Sequence, residues 1–245
     1  MKTIDIAMIG VSAALYAIVG VITNMGLVSP VVGVVKFWPA VVVPAIFAVL
    51  YGPWVGGTGA AIGIFISDMV QPGHGIILLS LTAGCTSNFA MFYLIGYISR
   101  KDFKWYNLLL VLISGAVVLT GMIGYLFAIE MLTFDVVALF LGVLFACVAI
   151  VVGVGVWKPE WKSYGLSSVV GLFVGSAIIG FTLLAYSYFL PLPLTGFEHN
   201  APFYASILWL VWTFATEIPF LVTIVPPVLK ICYKAFPSLA PANNR

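Results

Sequence analysis

One carboxylate stands where a carboxylate is costly. Glu217 lies within WLVWTFATEIPF, 14 residues after Phe203 and 13 before Lys230, in the last apolar run of the chain. At 1.5 Å per residue that is about 20 Å from either end of a helix. An ionisable group at such a depth must be protonated, paired or hydrated, and is a functional-site candidate by default. The alternative is a neutral acid hydrogen-bonded to Asn88, Thr213 or a carbonyl freed by a proline, and the sequence alone leaves both open. Thr213 lies one turn away on the same face, and Trp209 and Trp212 flank the same stretch as stacking surface or as an interfacial belt.

A second group of polar residues gathers upstream. Asn88 lies 12 residues after Ile76, about 18 Å into a helix, and shares a face with Ser80, Gly84 and Ser87. Asp68, Gln71 and His74 follow one another at the end of a glycine-rich apolar run. Lys36, just before that run, could meet an anionic group on a ligand or reach the lipid headgroups. His74 and His199, with Asp68 and Glu198 near them in sequence, lack metal-ligand spacing and read as solvated loop residues. No GxxxxGK[ST], HExxH or GxSxG pattern occurs, so neither ATP hydrolysis by a phosphate loop nor these hydrolytic chemistries is expected. The expectation is a binding protein that is not an enzyme and needs no cofactor or metal.

The elements that must position these groups are set by composition. The 245-residue chain is 63% hydrophobic and only 7% charged, with a mean hydropathy of +1.19. Soluble domains carry about 25% charged residues, so this is an integral membrane protein. Long apolar runs without period-2 alternation indicate an all-α helical bundle rather than a barrel. Eight spans are expected, at about Asp5 to Val28, Phe37 to Tyr51, Pro53 to Met69, Ile76 to Ser99, Asn107 to Ile129, Asp135 to Trp157, Ser167 to Leu190 and Phe203 to Tyr233. They form one domain over residues 1–236, followed by a disordered tail at 237–245. Phe37 to Met69 is predicted to be a hairpin of two short arms, because Gly52-Pro53 interrupts it. The three cysteines lie in apolar runs without CxxC spacing, which argues against disulfides and thiolate metal sites.

With the N-terminus in the cytoplasm, Lys2, the cluster Arg100, Lys101 and Lys104, the pair Lys158 and Lys162, and Lys230, Lys234 and Arg245 all fall inside, and only Lys36 falls outside. Eight spans with both termini cytoplasmic satisfy this asymmetry. The net charge of +2 gives no reason to expect a nucleic-acid partner. In the first span Gly10, Ala13, Ala14 and Ala17 recur at helical spacing, a surface that another helix, in this chain or in a partner, can approach closely. Gly56, Gly57, Gly59 and Gly63 make the third span a central, enclosed helix.

SAALYAIVG at Ser12 to Gly20, YGPWVGG at Tyr51 to Gly57 with a Ser-Asp helix end, and ATEIPFLVTIVPPVLKICYK at Ala215 to Lys234 resemble the substrate-binding S components of energy-coupling factor (ECF) vitamin transporters. The resemblance covers the first hundred residues and the last seventy or eighty. It implies a high-affinity binding subunit in the cell membrane, energised by a transmembrane coupling subunit and two cytoplasmic ATPase subunits. It also implies that Ala13 and Ala17 dock on the coupling subunit, and that the loops at Ser29 to Lys36 and before the fourth span gate an outward pocket. Six spans are usual in that family, so residues 107–157 are read as an inserted helical pair. The histidine-led N-terminus of cobalt and nickel relatives is absent, which lowers a metal-ion reading.

Together these readings place Lys36, Asp68, Gln71, His74, Asn88, Trp209, Thr213 and Glu217 around a small, partly aromatic nutrient, with a cation among the options. Two rivals belong to other classes. One is a self-sufficient proton-coupled transporter using Glu217, and the other is a membrane scaffold without a ligand.

Overall fold

The computed structural model describes residues 2–24, 27–29, 35–71, 75–193 and 198–239. Apart from one isolated antiparallel bridge between Val28 and Lys36, the regular structure among these residues is helical. The helices are α1 (Thr3–Thr23), α2 (Val42–Tyr51), α3 (Pro53–Val70), α4 (Ile77–Leu79), α5 (Thr86–Ile98), α6 (Trp105–Ala128), α7 (Phe134–Trp157), α8 (Lys162–Phe189), α9 (Phe203–Thr223) and α10 (Val225–Ala235). A 3₁₀ turn, Pro39–Val41, leads into α2, and a π-helical segment, Ser80–Cys85, joins α4 to α5 without a break. Six of the resulting rods are long and apolar enough to cross a bilayer: Thr3–Thr23, Ile77–Ile98, Trp105–Ala128, Phe134–Trp157, Pro159–Phe189 and Phe203–Ala235. The chain is a multi-pass helical membrane protein.

The other two predicted spans form the expected hairpin, with arms Pro39–Tyr51 and α3. Its turn is Gly52, whose φ of +114° is open to glycine but strained for other residues. Arg100 lies against the turn and donates from Nη2 to the carbonyls of Val49 (3.3 Å) and Leu50 (3.4 Å), giving the last turn of α2 the donors that its helix end lacks. The short first arm spans only about 20 Å at helical rise.

Helix α3 is the axis of packing. A Cβ on Gly56 would lie 2.3 Å from Ala48 Cβ of α2, one on Gly57 2.9 Å from the Phe89 carbonyl of α5, and one on Gly63 2.7 Å from the Ala13 carbonyl of α1. Glycine therefore brings three neighbours to backbone contact. Such closeness matters because lipid tails are as apolar as leucine, and helix association in a bilayer relies on packing. Beyond α3, the bundle continues through α5 to α8 and α9.

Helices α6 and α7, the pair expected at 107–157, pack on each other and on α8 and α9. Each buries a single stripe, Leu108, Leu112, Leu119, Ile123 and Leu126 on α6, and Phe140, Leu144, Cys147 and Val151 on α7. The pair is attached to one side of the bundle, with most of its surface outward. The last rod breaks at Ile224, ahead of Pro226 and Pro227, and the Tyr164 hydroxyl donates to the Leu221 carbonyl (2.8 Å) beside the break. Pro237–Leu239, at the start of the expected tail, forms a 3₁₀ turn. Residues 240–245 lie outside the described residues.

Candidate functional site

A cavity opens between the elements on which the polar residues were expected to converge. About 110 Å³ of it admits the centres of water-sized spheres. Its walls come from α1 (Tyr16), the segment before the hairpin (Lys36, Trp38), α3 (Ile64, Asp68), the π segment and α5 (Ser80, Gly84, Ser87, Asn88, Met91), α8 (Gly175, Ile179, Leu183) and α9 (Thr213, Glu217), with Pro193 at the rim. No residue of α6 or α7 lines it. From its mouth at Lys36 and Asp68 the cavity reaches Glu217, 14 residues or about 21 Å along α9 from Phe203.

The mouth is held by charge. The segment that carries Lys36 is paired through its backbone: Ser29 N–H donates to the Val35 carbonyl (2.9 Å) and Phe37 N–H to the Leu27 carbonyl (2.8 Å). Its Nζ lies 3.6 Å from Asp68 Oδ1 and donates to Gln71 Oε1 at 2.5 Å. Asp68 Oδ2 accepts from Ser80 Oγ (2.7 Å), which ties α3 to the π segment. Gln71 Nε2 donates to Ser67 Oγ (2.9 Å), and its carbonyl also accepts from Asn24 Nδ2 (2.8 Å). Burial pushes the Lys36 ammonium below the ordinary lysine range, while Asp68 acts in the opposite direction.

The middle of the cavity is an aromatic and amide network. Trp38 Nε1 donates to the Tyr16 hydroxyl (3.0 Å), which donates to Asn88 Oδ1 (2.6 Å), and Asn88 Nδ2 donates to the Gly84 carbonyl (2.9 Å). The Tyr16 and Trp38 rings meet edge to face, 6.3 Å apart at 79°. At the floor Thr213 Oγ1 donates to the Trp209 carbonyl (2.8 Å). Glu217 is 5% exposed, has no hydrogen bond to any described residue, and its Oε2 is wholly buried. None of the three partners anticipated for a neutral Glu217 is bonded to it.

Of the eight residues expected to bind substrate, Lys36, Asp68, Asn88, Thr213 and Glu217 line the cavity. Gln71 lies behind Lys36 and positions it. Trp209 does not line the cavity, and its side chain is enclosed in the core. His74 lies outside the described residues. His199 is exposed, and no cluster of metal-ligating side chains occurs among the described residues.

The expectation for α1 needs a correction. Ala13 and Ala17 are 3% and 6% exposed and face inward with Ile9, Ser12, Tyr16 and Gly20. They are occupied by this chain and cannot dock a partner. Gly10 and Ala14 lie on the adjacent, exposed face, and a Cβ on Gly10 would meet nothing within 4 Å.

Tyr16, Trp38, Ser80 and Met91 are among the lining residues that the list drawn from the sequence lacks. Tyr16 had a signal, as the one large polar side chain on the small-residue face of α1. Trp38 had a weaker one, two residues after Lys36 and directly before the hairpin proline. Comparison of the chain with family models, with curated proteins and with solved structures finds no match in any of the three.

Proposed function

We propose that this chain is a membrane-embedded binding subunit for a small organic micronutrient, taken up from outside the cell and energised by separate partner subunits. The cavity carries this reading. It is enclosed by five different helical elements, mixes apolar and aromatic walls with a few convergent polar groups, and extends deep into the bundle. The resemblance of Ser12–Gly20, Tyr51–Gly57 and Ala215–Lys234 to ECF S components supports the same reading and supplies the partners, a coupling subunit and two ATPases in the plasma membrane. On this proposal the outer stripe of α1, with Gly10 and Ala14, meets the coupling subunit, since Ala13 and Ala17 are buried within this chain.

The basic residues Arg100, Lys101, Lys158 and Lys162 then mark the cytoplasmic face, and Lys36 and Asp68 the outer mouth. The test is a thermal-shift screen of the purified chain against vitamins and nucleobases, because a ligand of the folded state raises the melting temperature with concentration. The expected result is sub-micromolar binding by the chain alone, without accumulation in vesicles until partner subunits are added. Ion-driven uptake by the chain alone would establish the proton-coupled rival. A folded chain with no ligand, whose Gly10→Leu/Ala14→Leu variant loses a partner complex, would establish a scaffold.

A further inference from the structure

The partners inside the cavity restrict what the ligand can be, provided that the cavity is a ligand site as proposed. Lys36 is engaged by Asp68 and Gln71, Asp68 by Ser80, Asn88 by Tyr16 and the Gly84 carbonyl, and Ser87 by the Ala83 carbonyl. Thr213 is engaged by the Trp209 carbonyl, and Trp38 by Tyr16. Glu217 alone among these lining polar side chains has no hydrogen bond to a described residue, although it is 95% buried.

With Glu217 ionised, charge gives the same answer. The described lining residues include one ammonium, on Lys36, and two carboxyl groups, on Asp68 and Glu217. The Lys36–Asp68 pair cancels, which leaves the carboxyl of Glu217 unbalanced. A lone carboxylate within a membrane protein costs several kcal/mol unless it takes up a proton, or a cation or strong donors meet it. A monocation at the floor makes the cavity neutral and satisfies the orphaned oxygen in a single step.

The walls say what shape of cation fits. A carboxylate is best matched by two parallel N–H groups on a planar, delocalised cation, and such a cation also packs against aromatic surfaces like those of Tyr16 and Trp38. An ammonium has three donors but no planar pair of parallel N–H groups. We propose that Glu217 is the specificity-determining residue of the cavity, and that it receives a planar N–H-bearing monocation, an amidinium or a protonated amino-heterocycle, at the buried end of the ligand.

The test uses two probes of nearly the same shape, benzamidine, which is a planar monocation, and benzamide, its neutral counterpart. Both are titrated calorimetrically into the purified full-length chain and into the Glu217→Gln and Glu217→Asp variants. The expected result is binding of benzamidine well above benzamide. Glu217→Gln should cost benzamidine about 30-fold or more in affinity, as expected for truncating one partner of a buried charge pair, while leaving benzamide unchanged. Glu217→Asp, which keeps the charge, should retain a preference for the cation and guards against a folding defect peculiar to the amide.

Equal affinity for the two probes, failure of benzamidine to bind, or full benzamidine binding by Glu217→Gln would overturn the inference. If a neutral vitamin binds in the wider screen while benzamidine does not, the cation inference fails and the binding-subunit reading stands. If nothing in that screen binds, the binding-subunit reading fails as well.

Discussion

The ion pair at the mouth should couple its two residues strongly while adding little to net stability. Lys36 Nζ and Asp68 Oδ1 are 3.6 Å apart, with side chains 9% and 16% exposed. At an effective dielectric constant of about 20, Coulomb's law gives a gross attraction of about 4 to 5 kcal/mol at that distance. Burial nevertheless holds the Lys36 ammonium below the ordinary lysine range in spite of Asp68, so desolvation outweighs attraction for this group. Lys36→Met alone leaves a buried carboxylate with Ser80, and Asp68→Asn alone leaves a buried ammonium with Gln71. Each should destabilise the protein by about 3 kcal/mol. The double variant removes both charges and should lie within about 1 kcal/mol of the parent or above it, which gives a coupling of several kcal/mol.

The same imbalance fixes a pH dependence. Because the folded pKa of Lys36 is depressed, the unfolded chain holds the proton more tightly between that value and the ordinary lysine pKa. This contribution to stability therefore rises as pH increases through that window. Lys36→Met should lose this part of the slope. Unfolding of the detergent-solubilised protein by sodium dodecyl sulfate, for the four members of the cycle at neutral and alkaline pH, measures both effects. Additive single variants, or a coupling below about 0.5 kcal/mol, would show that the pair does not hold the mouth and would refute the reasoning.

Three further outcomes test other parts of the structure. Tyr16→Phe deletes the hydroxyl that joins Trp38 to Asn88, stranding a buried indole N–H and an amide oxygen; a loss of about 1 to 3 kcal/mol is expected, read as a lower melting temperature. Gly56→Ala forces a methyl group to 2.3 Å from Ala48 Cβ, whereas a Cβ on Gly121 of α6 meets nothing within 4 Å; the first should cost about 1 to 3 kcal/mol and the second should be neutral or mildly stabilising in the same melting assay. Gly52→Ala places a side chain at a φ of +114° and against Arg100, so a loss of about 1 to 2 kcal/mol is expected, and Arg100→Ala should relieve the steric part of it.

The sequence made the helical framework legible because the bilayer leaves so few options for the backbone. The rods lie within a few residues of their expected positions, and the interruption at Gly52-Pro53 is where the hairpin turns. The depth of Asn88 and Glu217 was legible for the same reason, since distance along a helix is proportional to residue count. Facing was not legible, and α1 shows why. Gly10, Ala13, Ala14 and Ala17 are small on two adjacent faces, so residue size alone could not say which face α3 would take. The answer depended on Gly59 and Gly63, which accept Ser12 and Ala13 at backbone distance. Trp209 was misplaced on related grounds: its position fitted either an interfacial ring or a pocket wall, and neighbours contributed by other helices enclosed it instead.

The π segment at Ser80–Cys85 illustrates a further limit, one of register rather than of face. Ser80, Gly84, Ser87 and Asn88 share a side both by α-helical counting and in the structure, yet the path between them is not α-helical. A π turn widens the helix locally and leaves some carbonyls without their usual donors. Thr86 Oγ1 donates to the Thr82 carbonyl, and Ser87 Oγ to that of Ala83, so short hydroxyl side chains bond the backbone at and just beyond the distortion. Gly84 also lies against Asp68: a Cβ there would lie 3.2 Å from Asp68 Oδ2, the oxygen that already accepts Ser80. The π turn thus coincides with the place where the wall of the cavity meets the carboxylate that holds Lys36. A substitution that filled Gly84 would therefore be felt at the mouth before it was felt at Glu217.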